Sequence, residues 1–224
     1  MKKEKTISKN QQGLILTAIF LFLVLDLSSA WAQKGEFTVF GGYRLGGGFE
    51  GGSLDLAEQH LVQGLKIQSS PDFGLIFGVW LVESTIMLEF ILERQSTELT
   101  FFNSEIDRKS TLFDLNLDSY ELGIVAFPGS SKKIQPFFAL TWGLTRLVPK
   151  GDFDNEKGIA FSYVLGAKTL ISKRVGFRLQ SRVASAWFGS VEAAFCNESD
   201  ECYDSPKTTW MFQLDISGGL FFTF

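Results

Sequence analysis

Long stretches of this chain alternate apolar and polar residues with a period of two, and that pattern constrains the fold more than any motif in it. Successive side chains of a β-strand point to opposite faces, so period two describes a sheet with one apolar face and one polar face. In the first candidate strand Phe37, Val39, Gly41, Tyr43 and Leu45 share one face, while Glu36, Thr38, Phe40, Gly42 and Arg44 share the other. Further along, Ile86, Leu88, Phe90 and Leu92 oppose Met87, Glu89, Ile91, Glu93 and Gln95. Phe177, Leu179 and Val183 oppose Arg178, Gln180 and Arg182. The last strand sets Trp210, Phe212, Leu214, Ile216, Leu220, Phe222 and Phe224 against Gln213, Asp215, Ser217 and Thr223. Segments at roughly 65–81, 111–127, 134–147 and 158–170 read similarly and bring the set to eight strands.

The connections alternate in length. Glu83-Ser84, Gly129 to Lys133 and Ser172-Lys173 are short, whereas Gly47–Gly64, Thr100–Ser110, Lys150–Lys157 and Gly189–Thr208 are long and polar. Short turns at one end and long loops at the other predict an all-β fold: an eight-stranded antiparallel transmembrane barrel with short periplasmic turns and long extracellular loops. A soluble barrel of the lipocalin kind would turn the same apolar face inward, around a ligand. The two termini favour lipid on the outside.

Lys2, Lys3, Lys5 and Lys9 precede an apolar run from Leu14 to Leu25 that ends at Asp26. Ala30-Trp31-Ala32 then offers a small-x-small cleavage site ahead of Gln33, the layout of a cleavable signal peptide. The run is shorter than the roughly 20 apolar residues of a spanning helix. The expected division is a signal peptide at 1–32 and a barrel domain at 33–224. With 23 phenylalanines, 22 glycines and a formal charge of -4, the chain has no basic concentration of the kind that binds nucleic acid.

At the other terminus Ser217, Gly219, Phe222 and Phe224 form a polar-glycine-aromatic pattern on a final strand. This stretch resembles the C-terminal assembly signal of bacterial outer-membrane barrels. Gly41-Gly42-Tyr43-Arg44-Leu45-Gly46-Gly47, Leu92-Glu93-Arg94-Gln95-Ser96-Thr97, Phe195-Cys196 with Cys202, and Phe212-Gln213 through to Phe224 extend the likeness along the whole barrel. The chain is similar to the OmpA-like eight-stranded outer-membrane β-barrels, in particular to small proteobacterial members of unassigned function. The resemblance implies insertion by the barrel-assembly machinery and contact with outer-membrane lipid and lipopolysaccharide, as a monomer. No stretch resembles the peptidoglycan-binding domain of full-length relatives.

Parity places Glu36, Arg44, Glu89, Glu93, Glu121, Lys168, Arg178, Arg182 and Asp215 inside the barrel. Unpaired buried charges are costly, so this nearly balanced set should pair. An eight-stranded barrel is only wide enough for side chains to fill it, which predicts a plugged, structural lumen. A narrow gated pore is the rival reading. Outward aromatics should form two belts, with Tyr43, Trp142, Trp187 and Trp210 near the outer end and Phe37, Phe177, Phe222 and Phe224 near the inner one.

Cys196 and Cys202 in the last long loop suggest a disulfide in an exported protein. A metal site is the alternative, but two cysteines without a nearby histidine are few for zinc. His60 is the single histidine, in a first outer loop read as a short helical turn. The lipid A deacylases of this barrel type carry a serine two places after the histidine, and that position here is Val62. The sequence therefore predicts no catalytic residue, metal ligand or cofactor. The expected function is a non-catalytic structural or surface-interaction role through the outer loops, ahead of a narrow channel and then of a lipid A-modifying enzyme. The acidic loops (Asp152, Asp154, Glu156; Glu198, Asp200, Glu201, Asp204) could also hold cations that bridge lipopolysaccharide phosphates.

Overall fold

The computed structural model describes residues 35–50, 53–56, 60–103, 108–129, 134–150, 155–189 and 209–224. The expected signal peptide, with Ala30, Ala32 and Gln33, lies outside the described residues, as do Cys196 and Cys202.

Backbone N–H and C=O groups of a membrane wall must all be satisfied within the protein, and a closed antiparallel sheet does this. The strands are β1 (Gly35–Glu50), β2 (Ser53–Leu56), β3 (His60–Ile67), β4 (Ser70–Val82), β5 (Ile86–Asn103), β6 (Arg108–Ala126), β7 (Ile134–Pro149), β8 (Glu156–Leu170), β9 (Val175–Phe188) and β10 (Thr209–Thr223). From β4 to β10 each strand pairs antiparallel with the next; β1 pairs with β4 on one side and β10 on the other, closing the cylinder. The wall has eight positions because β3 and β4 are consecutive pieces of one wall strand, interrupted at Gln68 and Ser69, and β2 pairs only with β3. The seam runs from Glu36↔Thr223 to Glu50↔Trp210, with a register shift between Leu45 and Gly48. Past it, Gly35 N donates to the Phe224 carbonyl and Phe224 N to the Gly35 carbonyl, both at 3.0 Å.

The short turns have local causes. Thr85 N donates to the Val82 carbonyl at 3.0 Å, across a turn that holds Ser84 at φ 61°. Gly129 sits at φ +107°, a conformation that L side chains rarely adopt. Ser172 Oγ accepts the Val175 N–H at 3.1 Å between β8 and β9.

Two expectations about the long-loop end are corrected. The segment around His60 is not a helical turn: Ser53–Leu56 and His60–Ile67 form an antiparallel hairpin, Leu56 opposite His60. Its backbone groups find partners on β5, where Gln63 pairs with Phe102 and Ile67 with Leu99. The connection assigned to Thr100–Ser110 is mostly strand, with β5 and β6 paired out to Asn103↔Arg108.

Outward positions are apolar through the middle of the wall. In β7, Ile134, Phe138, Leu140, Trp142 and Leu144 are exposed. Ten residues at ~3.4 Å each, tilted by about 40°, give a band about 25 Å tall, the height of a bilayer's hydrocarbon contact on such barrels. Tyr43, Trp142, Trp187 and Trp210 face outward, as do Phe177, Phe222 and Phe224, while Phe37 packs on Phe77 with centroids 5.1 Å apart. Towards the long-loop end the face turns polar, at Arg94 and Ser96 in β5 and at Asp118 and Asn116 in β6.

Candidate functional site: the charged lumen

Inward positions form three layers. At the short-turn end Met87, Val125, Phe127, Phe137, Ala139 and Val164 make an apolar floor, with Trp80 packed against it. Phe221 is also buried there; a Cβ on Gly176 of the next strand would lie 2.1 Å from its ring, so glycine is what lets the ring lie against β9. Nearer the long-loop end Leu99, Leu115, Leu117, Leu147, Phe188 and Met211 are buried in an apolar roof. Between floor and roof lie the charges.

All nine residues placed inside by parity are buried on the inner wall. The structure sorts them into two groups that strand alternation could not foresee. The lower group joins Glu36 of β1, Glu89 of β5, Lys168 of β8 and Arg178 of β9. Arg178 grips Glu89 with two bonds, Nη1–Oε1 at 2.5 Å and Nη2–Oε2 at 3.0 Å. Lys168 Nζ donates to Glu36 at 2.5 Å and to Glu89 at 3.3 Å. Both cations also lie over the floor's aromatic rings: Arg178 Cζ is 4.5 Å from the Phe137 centroid, and Lys168 Nζ is 5.4 Å from Phe127 and 5.6 Å from Phe221. Two positive and two negative groups balance, and the rings add cation–π attraction in a desolvated setting.

The upper group is different. Glu93 of β5 pairs with both Arg44 of β1 and Arg182 of β9. Arg182 reaches Glu121 of β6 at 3.4 Å, and Glu121 also accepts hydrogen bonds from Thr141 and from Ser162, the latter at 3.0 Å. Amides extend the network: Arg44 to Gln213 at 3.4 Å, Gln213 to Gln95 at 3.2 Å and Gln95 to Ser70 Oγ at 2.9 Å. Asp215 accepts Ser217 Oγ on Oδ1 at 2.9 Å. A tenth buried charge completes the group. Asp72 of β4, 3% exposed, points inward, and sequence reading passed over it at the start of a strand behind Pro71. The upper group thus holds two guanidiniums and four carboxylates.

Several ion pairs connect strands far apart around the cylinder. β5 and β9, bridged by Glu89–Arg178 and Glu93–Arg182, are four positions apart in a ring of eight. On the outer wall Arg94 holds Asp118 through two bonds, at 2.6 and 2.8 Å, and with Phe73, Leu75, Leu92 and Tyr120 it borders a shallow groove.

No protein-family model and no curated protein matches the sequence. Solved structures do match. The outer membrane protein OprG from Pseudomonas aeruginosa superposes with a TM-score of 0.52 at 14% identity, over 86% of this chain and 97% of that one. The chain has the fold of an outer-membrane β-barrel. Neisserial surface protein A (NspA) gives a TM-score of 0.49 at 11% identity, over 84% of this chain and 97% of that one. Likeness at this identity concerns the fold and leaves activity to be argued from the lumen and loops.

Proposed function

We propose that this protein is a non-catalytic barrel of the OmpA-like kind in the outer membrane of a Gram-negative bacterium, serving envelope integrity or surface interaction through its outer loops. The carrying observation is the filled lumen: ten buried charges, cross-linked between opposite walls and enclosed by an apolar floor and roof. A pathway for solutes would have to break several buried ion pairs at once, and each orphaned charge costs several kcal/mol. The outward apolar band with aromatic edges supports insertion in lipid. Monomeric insertion by the barrel-assembly machinery, contact with lipopolysaccharide and a Cys196–Cys202 disulfide belong to the same reading.

The test pairs two measurements. Refolded protein in planar bilayers should show no steady conductance, and a deletion strain should become more sensitive to detergents and large antibiotics. Conductance that changes in Arg178→Ala or Glu89→Ala protein, without envelope sensitivity in the deletion strain, would instead establish a channel.

A further inference from the structure

We infer that Asp72 and Asp215, beside Glu93 in the upper lumen, form a binding site for one divalent cation of the hard, oxygen-preferring class.

Four observations converge on it. Asp72, Glu93 and Asp215 each offer a carboxylate oxygen, and these atoms lie within 4.8 Å of one another. Two oxygens each about 2.4 Å from a calcium ion can be at most about 4.8 Å apart, so the spacing suits one shared ion. Independently, both oxygens of Asp72 and Oδ2 of Asp215 have no hydrogen-bond partner, although the residues are 3% and 0% exposed. Buried carboxylate oxygens are nearly always satisfied, and orphaned oxygens on two neighbouring aspartates call for a positive partner. Glu93 is already engaged by Arg44 and Arg182, which makes the two aspartates the principal ligands and Glu93 an adjacent negative charge.

Charge balance selects a divalent ion. The lower group is neutral, whereas the upper one has two more negative than positive groups, and one divalent cation closes that difference. Arg44 and Arg182 are engaged by Glu93, Glu121 and Gln213, and neither makes a hydrogen bond to Asp72 or to Oδ2 of Asp215.

The backbone leaves the space. Gly42 occupies an inward position of β1 between the two aspartates; a Cβ there would lie 2.7 Å from Asp72 Oδ1 and 2.9 Å from Asp215 Oδ2. Ser217 holds Asp215 by Oδ1, turning Oδ2 free. Carboxylate oxygens without histidine or cysteine favour magnesium, calcium or manganese over zinc or copper. With an apolar roof above it, the ion enters as the barrel closes and exchanges slowly afterwards.

The test uses Mn²⁺ as the probe. Full-length protein is refolded from metal-free urea into detergent with Mn²⁺, passed over a chelating column and assayed for retained metal. Wild type should keep about one ion per chain, as should Asp114→Asn, which alters an exposed acid on the outer wall. Asp72→Asn, Asp215→Asn and Gly42→Ala should each retain at least tenfold less; the glycine variant keeps every carboxylate and fills the room between them, its methyl also meeting Ser217. Should these variants fail to fold, wild-type crystals grown with Mn²⁺ decide the matter through an anomalous peak between Asp72 and Asp215. No retained metal in wild type, equal retention in the variants, or peaks confined to the outer loops would overturn the site. So would a protonated-carboxyl infrared band in metal-free and metal-treated wild type alike that vanishes in Asp215→Asn, because a shared proton would then neutralise the aspartates.

Discussion

The two ionic groups stacked in this lumen are both built from buried carboxylates and cations, and they reach opposite results. In the lower one, each formal charge meets its complement, and aromatic rings line the other side of both cations. In the upper one, arginines shared among glutamates leave two aspartates facing each other across a glycine. Depth does not separate them, since both are buried. What differs is completeness: a finished network rigidifies, while an unfinished one keeps an open valence that something else can fill.

The contrast can be broken most sharply at Glu89. Replacing it with alanine strands Arg178 and leaves Lys168 with Glu36 alone, and the barrel should lose about 3–5 kcal/mol in urea unfolding from lipid vesicles. The double variant Glu89→Ala/Arg178→Ala should recover part of that loss, and failure to recover any would show that the pair is not coupled. Next in size is Phe137→Ala, which removes the ring beneath Arg178 and part of the floor, at about 3 kcal/mol in the same assay. Asp72→Asn should behave unlike either. Measured without divalent cations it removes a surplus negative charge, so stability should stay within about 1 kcal/mol of wild type or rise. A loss as large as that at Glu89 would mean the upper group is as complete as the lower. Smallest of all, Arg94→Ala breaks a pair in which the arginine side chain is 52% exposed, and should cost about 0–1 kcal/mol.

How far the sequence reveals this arrangement depends on the kind of geometry asked for. The facing of Glu36, Glu89, Arg178 and Asp215 follows from strand alternation, because a slip of one residue would turn the whole apolar set inward. Their grouping does not follow. Which lumen charges meet is set by strand tilt and stagger around the closed cylinder, and these appear only when Arg44↔Asp215 and Arg44↔Ser70 fix the registers on both sides of β1. Asp72 escaped notice because its strand begins beside Pro71, where the break at Gln68 and Ser69 interrupts the alternation. The hairpin at Ser53–Leu56 and His60–Ile67 was hidden for a related reason: short polar segments take extended form when a neighbouring strand offers partners, and β5 does so only in three dimensions.

The ties between β5 and β9 have a mechanical consequence. A thin tube in a bilayer feels side-on lipid pressure that would squash it into an ellipse, and a hollow cylinder resists only through the stiffness of its shell. Here charged spokes span the diameter at two heights, so flattening along that axis must compress ion pairs already in contact, and stretching must pull them apart. The cross-section is thereby held round from within.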